Sequence, residues 1–160
     1  MTRRGTGAAL ASAALLAAAT AAAAAVPEAG TFAGSTGQGL NASVKVNAHH
    51  RIKRFRIYWV APCDRPNATW GNRDNPGGTV DRDLRDDPIK QTSDGTFSDS
   101  EKYEDVETNA GEQSHFRMAL DGRFTDATHA HGTFTIKIRV THFGNTYDHC
   151  RKTVKWHVGD

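Results

Sequence analysis

Thr133-Phe134-Thr135-Ile136-Lys137-Ile138-Arg139-Val140 decides the fold class. Phe134, Ile136, Ile138 and Val140 take every second place, and polar side chains fill the places between. A β-strand turns successive side chains to opposite faces, so this segment buries one face and wets the other. The same alternation runs through Asn41–Asn47, where Ala42, Val44 and Val46 share a face. It runs through Arg51–Val60 with Phe55, Ile57 and Trp59, and through His115–Leu120 with Phe116, Met118 and Leu120. Thr153–Val158 repeats it with Val154, Trp156 and Val158. Half-buried alternating strands belong to antiparallel sheets, whereas buried parallel strands read as continuous apolar runs.

No amphipathic helical stretch of useful length follows residue 26. The expectation is one all-β domain of roughly seven to nine antiparallel strands. A two-layer β-sandwich leads, with an up-and-down barrel as the alternative. The expected core is Phe32, Val44, Val46, Phe55, Ile57, Trp59, Phe116, Met118, Leu120, Phe134, Ile136, Ile138, Val154 and Trp156.

Shorter strands are expected at Thr31–Ser35, Ile89–Gln91, Gly95–Ser98 and Gly122–Thr125. Gly-x-Phe recurs at Gly30-Thr31-Phe32, Gly95-Thr96-Phe97, Gly122-Arg123-Phe124 and Gly132-Thr133-Phe134. The motif reads as a tight turn closed by glycine, followed by a strand whose aromatic enters the core.

Residues 1–25 read as an export signal. Arg3 and Arg4 precede an apolar run of Ala and Leu, and Ala23-Ala24-Ala25 offers small residues for cleavage before Val26. Alanine is weakly hydrophobic and no positive stop follows, so a membrane anchor is disfavoured and no membrane span is expected after cleavage. The Arg3-Arg4 pair leaves the export route, general secretory or twin-arginine, undecided. Residues 26–160 then form the β domain, and the protein is expected outside the cell. Cys63 and Cys150 are the only cysteines, and in an exported chain they most simply form one disulfide. A catalytic cysteine is the competing reading, with His149 beside Cys150.

One stretch, about 62–94, lacks periodicity and holds Pro62, Pro66, Pro76 and Pro88. A connection of that length is either functional or loosely ordered. The surrounding residues 64–112 carry 13 acidic and 6 basic side chains, whereas residues 26–63 and 113–160 are net basic. The chain therefore reads as an acidic insertion on a basic strand framework. Without residues 1–25 the formal charge is zero, which gives no argument for nucleic acid, and no nucleic-acid partner is expected.

The candidate ligand surface lies in this insertion, around Trp70, Asp81, Asp83 and Tyr103. Trp70 is costly in a polar loop unless it caps the core or stacks on a partner. Carboxylates nearby would accept hydrogen bonds from a sugar or a cationic group. The competing reading folds Trp70 back onto the sheets and sets the acids on Arg54 and Arg56. Arg51-Ile52-Lys53-Arg54-Phe55-Arg56 is the densest basic run and is read mainly as a wetted strand face. His129-Ala130-His131 has zinc-like spacing but no nameable further ligands. Asp81-Arg82-Asp83 and Asp86-Asp87 lack the order of a calcium loop. No catalytic residue, metal or cofactor is assigned.

Read in order, the chain resembles a group of small exported actinobacterial proteins of unknown function. The matching features are Gly30-Thr31-Phe32-Ala33-Gly34-Ser35-Thr36-Gly37-Gln38, a strand ending at Cys63, Pro88-Ile89, the later Gly-x-Phe pieces, Cys150 and Val154-Lys155-Trp156. The resemblance implies a disulfide-bearing β-sandwich and carries over no catalytic residue. The long acidic insertion, and Gly37 where serine is commoner, depart from the group.

The leading functional expectation is an exported, non-enzymatic binding module for cell-envelope polymer, carbohydrate or protein. Alternatives are a glycan hydrolase using carboxylates from residues 81–107, and a secreted protease inhibitor presenting the loop after Cys63.

Overall fold

A computed structural model describes residues 25–64, 77–107 and 111–159. Nearly all of the expected export signal and Trp70 lie outside the described residues. The described chain forms eight strands: β1 (Gly30–Thr36), β2 (Asn41–Val46), β3 (Ile52–Val60), β4 (Gly77–Asp83), β5 (Thr96–Glu107), β6 (Glu112–Phe124), β7 (Ala130–His142) and β8 (Asn145–Val158). They make one curled antiparallel sheet in the order β4-β3-β2-β1-β8-β7-β6-β5. No described helix is long and apolar enough to cross a membrane.

The curl wraps one apolar core. Val44, Phe55, Ile57, Met118, Leu120, Phe134, Ile136, Ile138, Val154 and Trp156 are all buried, as alternation requires. Phe32 and Phe116 are partly buried against the same cluster. Contact across the core is direct. Phe32 of β1 meets Phe124 of β6 edge-on at 6.2 Å between ring centroids, although β8 and β7 separate those strands in the sheet.

The opening motif is structural at nearly every place. A Cβ on Gly34 would lie 2.2 Å from the His157 carbonyl oxygen, so only glycine lets β1 approach β8 here. Thr36 is buried, and its hydroxyl accepts from the backbone N–H of Gln38 and of Leu40, closing the β1–β2 turn. The Gln38 amide pairs with both backbone groups of Val60, donating at 2.8 Å and accepting at 3.1 Å. One side chain thus substitutes for a missing strand at the end of β3.

Gly122 and Gly132 differ from the expected turn role. They oppose each other inside the β6–β7 ladder, between Phe97 of β5 and Trp156 of β8. A Cβ on Gly122 would meet the Phe97 ring at 2.3 Å and the Trp156 ring at 2.6 Å. Gly122 clears the inner sheet face so that these rings meet, 6.0 Å apart, and Gly132 lets the two backbones approach closely. Gly95 does sit in a turn, at φ 81°.

Two strands exceed their sequence signals. β4 lies inside the stretch read as aperiodic, and β5 continues well past Ser98. Both turn charged side chains to the core side: Arg82 follows Val80 on β4, and Asp99 and Glu101 follow Phe97 on β5. Arg82 donates to Asp99 at 3.2 Å and to Glu101 at 2.6 Å, joining the two ends of the sheet. Polar residues on the inner face hide the hydrophobic alternation on which the strand reading depends. Ile89, expected within a strand, forms only an isolated bridge to Ile52.

Cys63 and Cys150 are disulfide-bonded, 87 residues apart in sequence. Cys63 opposes Cys150 as an isolated antiparallel bridge. Backbone bonds from Asp64 N–H to the His149 carbonyl and from Arg151 N–H to the Pro62 carbonyl flank it. Pro62–Asp64 therefore extends the sheet along the part of β8 that β1 does not reach.

Candidate functional site

Register assembles an outward row that no single strand displays. Lys102 of β5 opposes Arg117 of β6, Arg117 opposes Lys137 of β7, and Lys137 opposes Arg151 of β8. All four residues are exposed. Two places along each strand lies a second outward row of Glu104, His115, Arg139 and His149. A groove of about 950 Å³ runs between the rows. The intervening Tyr103, Phe116, Ile138 and Cys150 turn to the core side of the pleat, so backbone forms its floor. Tyr103 stacks face to face on Phe116 at 4.5 Å, consistent with that direction.

The groove is lined by five Lys and Arg side chains against two carboxylates, Asp64 and Glu104. Arg151 reaches Asp64 only at 4.0 Å, and Glu104 accepts from Gln113 and contacts His115 Nδ1 at 2.7 Å. Lys102, Arg117, Lys137 and Arg139 form no ion pair among the described residues. Directly opposed like charges destabilise a sheet, and here three opposed pairs follow one another.

Elsewhere Arg54, Arg56, Arg82 and Arg85 are matched by carboxylates, whereas Arg51 and Arg123 form no ion pair among the described residues. Asp81 receives Arg54 at 2.6 Å and Arg56 at 3.0 Å. The hydrogen bond from Arg54 is the main cause holding the Asp81 carboxyl down at about 2, and Arg56 adds to it. Arg85 pairs with Asp83 at 2.6 Å and lowers its pKa. Asp81 thus sits on Arg54 and Arg56, the partners that the competing sequence reading names for the acids, whereas Asp83 pairs with Arg85 instead. The structure does not bring them to Tyr103, which lines the groove. Another depression, of about 570 Å³, holds Asp83, Asp86, Asp87 and Asp99 beside Arg51, Arg82 and Lys90.

The remaining sequence candidates are local. His129 is tied to Asp126 at 2.8 Å in the β6–β7 turn. His131 opposes His157 on the ladder, and Ser35 Oγ lies 3.5 Å from His157 Nε2 as its directly opposed partner. Asp148 lies within 4.8 Å of both cysteine sulfurs, which are consumed in the disulfide. The groove cations were legible only as the wetted faces of alternating strands. Their signal was that outward places on β6, β7 and β8 are basic in succession.

No family model, curated protein or solved structure matches the chain.

Proposed function

We propose that the protein is an exported, non-enzymatic binding module of the cell envelope, and that the β5–β8 groove is its ligand face. The row Lys102, Arg117, Lys137 and Arg151 carries the reading, because it sets four exposed cations side by side at one register, three of them without an ion pair among the described residues. Departures from good local design gather at functional sites. The scaffold is a sandwich of two four-stranded meanders, β1–β4 and β5–β8, joined where β1 meets β8 and held at the open side by Arg82. The acidic segment serves this scaffold, since Asp81, Asp99 and Glu101 all engage arginines. The disulfide suits an oxidising compartment. The pairing of the acids weighs against glycan hydrolysis by Asp81, Asp83, Asp99, Glu101 and Glu104, each engaged with a cation or a histidine, and leaves Asp86 and Asp87 as carboxylates of that stretch without an ion pair among the described residues.

Sedimentation of the purified protein with cell envelopes tests the reading. Wild type is expected to co-sediment, and Arg117→Gln/Lys137→Gln to remain in solution. Equal sedimentation of both would remove the groove from consideration.

A further inference from the structure

We propose that the groove takes a linear polyol–phosphodiester polymer, lying across the strands with its phosphates spread along the row of cations. This rests on the groove being the ligand face and names the ligand's chemistry.

The geometry of the row sets the ligand's shape. One cation stands on each of four adjacent strands, at the same register. Adjacent strands lie about 4.8 Å apart, so the row spans about 14 Å perpendicular to the strands. A single compact anion would engage two neighbours and leave the other two opposed. A chain with one charge per short repeat can compensate the whole row. A short polyol between phosphates keeps successive charges within about two strand spacings.

The side-chain types set the charge chemistry. Arg117 and Arg151 offer planar forks that match phosphate oxygens, and Lys102 and Lys137 alternate with them as point charges. Arg139 stands in the second row, across the groove floor, and can hold the chain from the other side.

The lining also disfavours the other polymers. Neither outward row contains Trp, Tyr or Phe, and the one aromatic pair nearby, Tyr103 and Phe116, is stacked on itself. A neutral sugar chain would lack a ring to stack on. Single-stranded nucleic acid would lack a platform for its bases. A duplex needs a broader basic face than one row across four strands.

Titration calorimetry or fluorescence anisotropy with poly(glycerol phosphate) provides the test. Free inorganic phosphate, a neutral oligosaccharide and single-stranded DNA of matched length serve as comparison ligands. The polymer is expected to bind at least tenfold more tightly than any of the three. Its affinity should fall with salt, by about 0.7 log unit per log unit of salt for each phosphate contact. Arg117→Gln/Lys137→Gln should weaken polymer binding at least tenfold and flatten that slope by about 1.4. Arg54→Gln, at a cation already paired with Asp81, should leave both unchanged. The double variant should melt no lower than wild type, since it removes opposed like charges.

Equal affinity for free phosphate, preference for DNA or the oligosaccharide, or a slope untouched by the double variant would each overturn the polymer assignment. If the double variant loses envelope binding while poly(glycerol phosphate) does not bind, the chemistry is wrong and the groove stands. If envelope binding survives the double variant, the groove itself is wrong.

Discussion

Arg82 on β4 donates to Glu101 on β5 across 2.6 Å, although β4 and β5 are the two ends of the strand order. The sheet therefore closes at that side through side chains, where its backbones form no ladder. Asp99 takes the same guanidinium at 3.2 Å, and the three side chains are 16% to 33% exposed. A partly buried cation between two carboxylates is worth more than a surface pair, because its loss leaves two like charges facing each other.

Arg82→Leu is expected to destabilise the fold by about 1–2 kcal/mol. Urea denaturation measures this, and hydrogen exchange should show the loosening concentrated in β4. Glu101→Gln should cost less, since Asp99 still balances Arg82. An unchanged midpoint for Arg82→Leu would show that the seam contributes nothing.

Acid should weaken the protein between about pH 4 and pH 2. Asp81 is held at about 2 chiefly by the Arg54 hydrogen bond, against an ordinary value of 3.8. Asp94 is held at about 2 by the hydroxyls of Thr92 and Thr96, and Asp126 is lowered by backbone N–H groups of its turn and by His129. A carboxyl with a lowered native pKa stabilises the fold above its unfolded pKa, and that contribution disappears as pH falls through the native value. Asp81→Asn should flatten the stability-against-pH curve in this window while leaving the curve above pH 5 parallel to wild type. A slope identical to wild type below pH 4 would refute the assignment.

Reduction of the Cys63–Cys150 bond opens a loop of 87 residues' separation. In the chain-entropy description that amounts to about 4–5 kcal/mol, an upper figure for real proteins. The oxidised protein should show no titratable thiol. Addition of reductant should lower the melting temperature and release the Pro62–Asp64 segment from β8. One free thiol per cysteine in the protein purified without reductant would contradict the bond.

Gly132→Ala should be worse than Gly122→Ala, although the two residues face each other. A Cβ at Gly132 meets the Asp121 carbonyl oxygen at 1.9 Å, and backbone in a ladder has nowhere to go. A Cβ at Gly122 meets the Phe97 and Trp156 rings, which can rotate at a cost. Overpacking of side chains costs about 1–3 kcal/mol, and Gly132→Ala should exceed that range. Denaturation midpoints of the two variants decide the order.

Strand content and the core were legible because both depend on local alternation. Val154 and Trp156, or Phe134, Ile136 and Ile138, announce their face within one strand, and the structure buries them all. β4 was lost, and β5 shortened, because Arg82, Asp99 and Glu101 stand where the alternation calls for apolar residues. Their partners lie at the opposite end of the sheet, so no window of sequence shows that they are matched. The role of Gln38 was hidden for the same reason, since it completes the backbone of Val60, 22 residues away.

The amino-acid sequence by itself determined that this chain is a β protein, which apolar residues of the alternating strands face inward, and that two cysteines are available to each other. Those properties follow from a two-residue period and from composition, which are local. Only the tertiary structure decided which strands are neighbours and in what register. A shift of one residue between β6 and β7 would turn Arg117 and Lys137 to different faces. The glycine pair at Gly122 and Gly132 and the long β5–β8 ladders fix that register. Four separate basic residues become one row because of it.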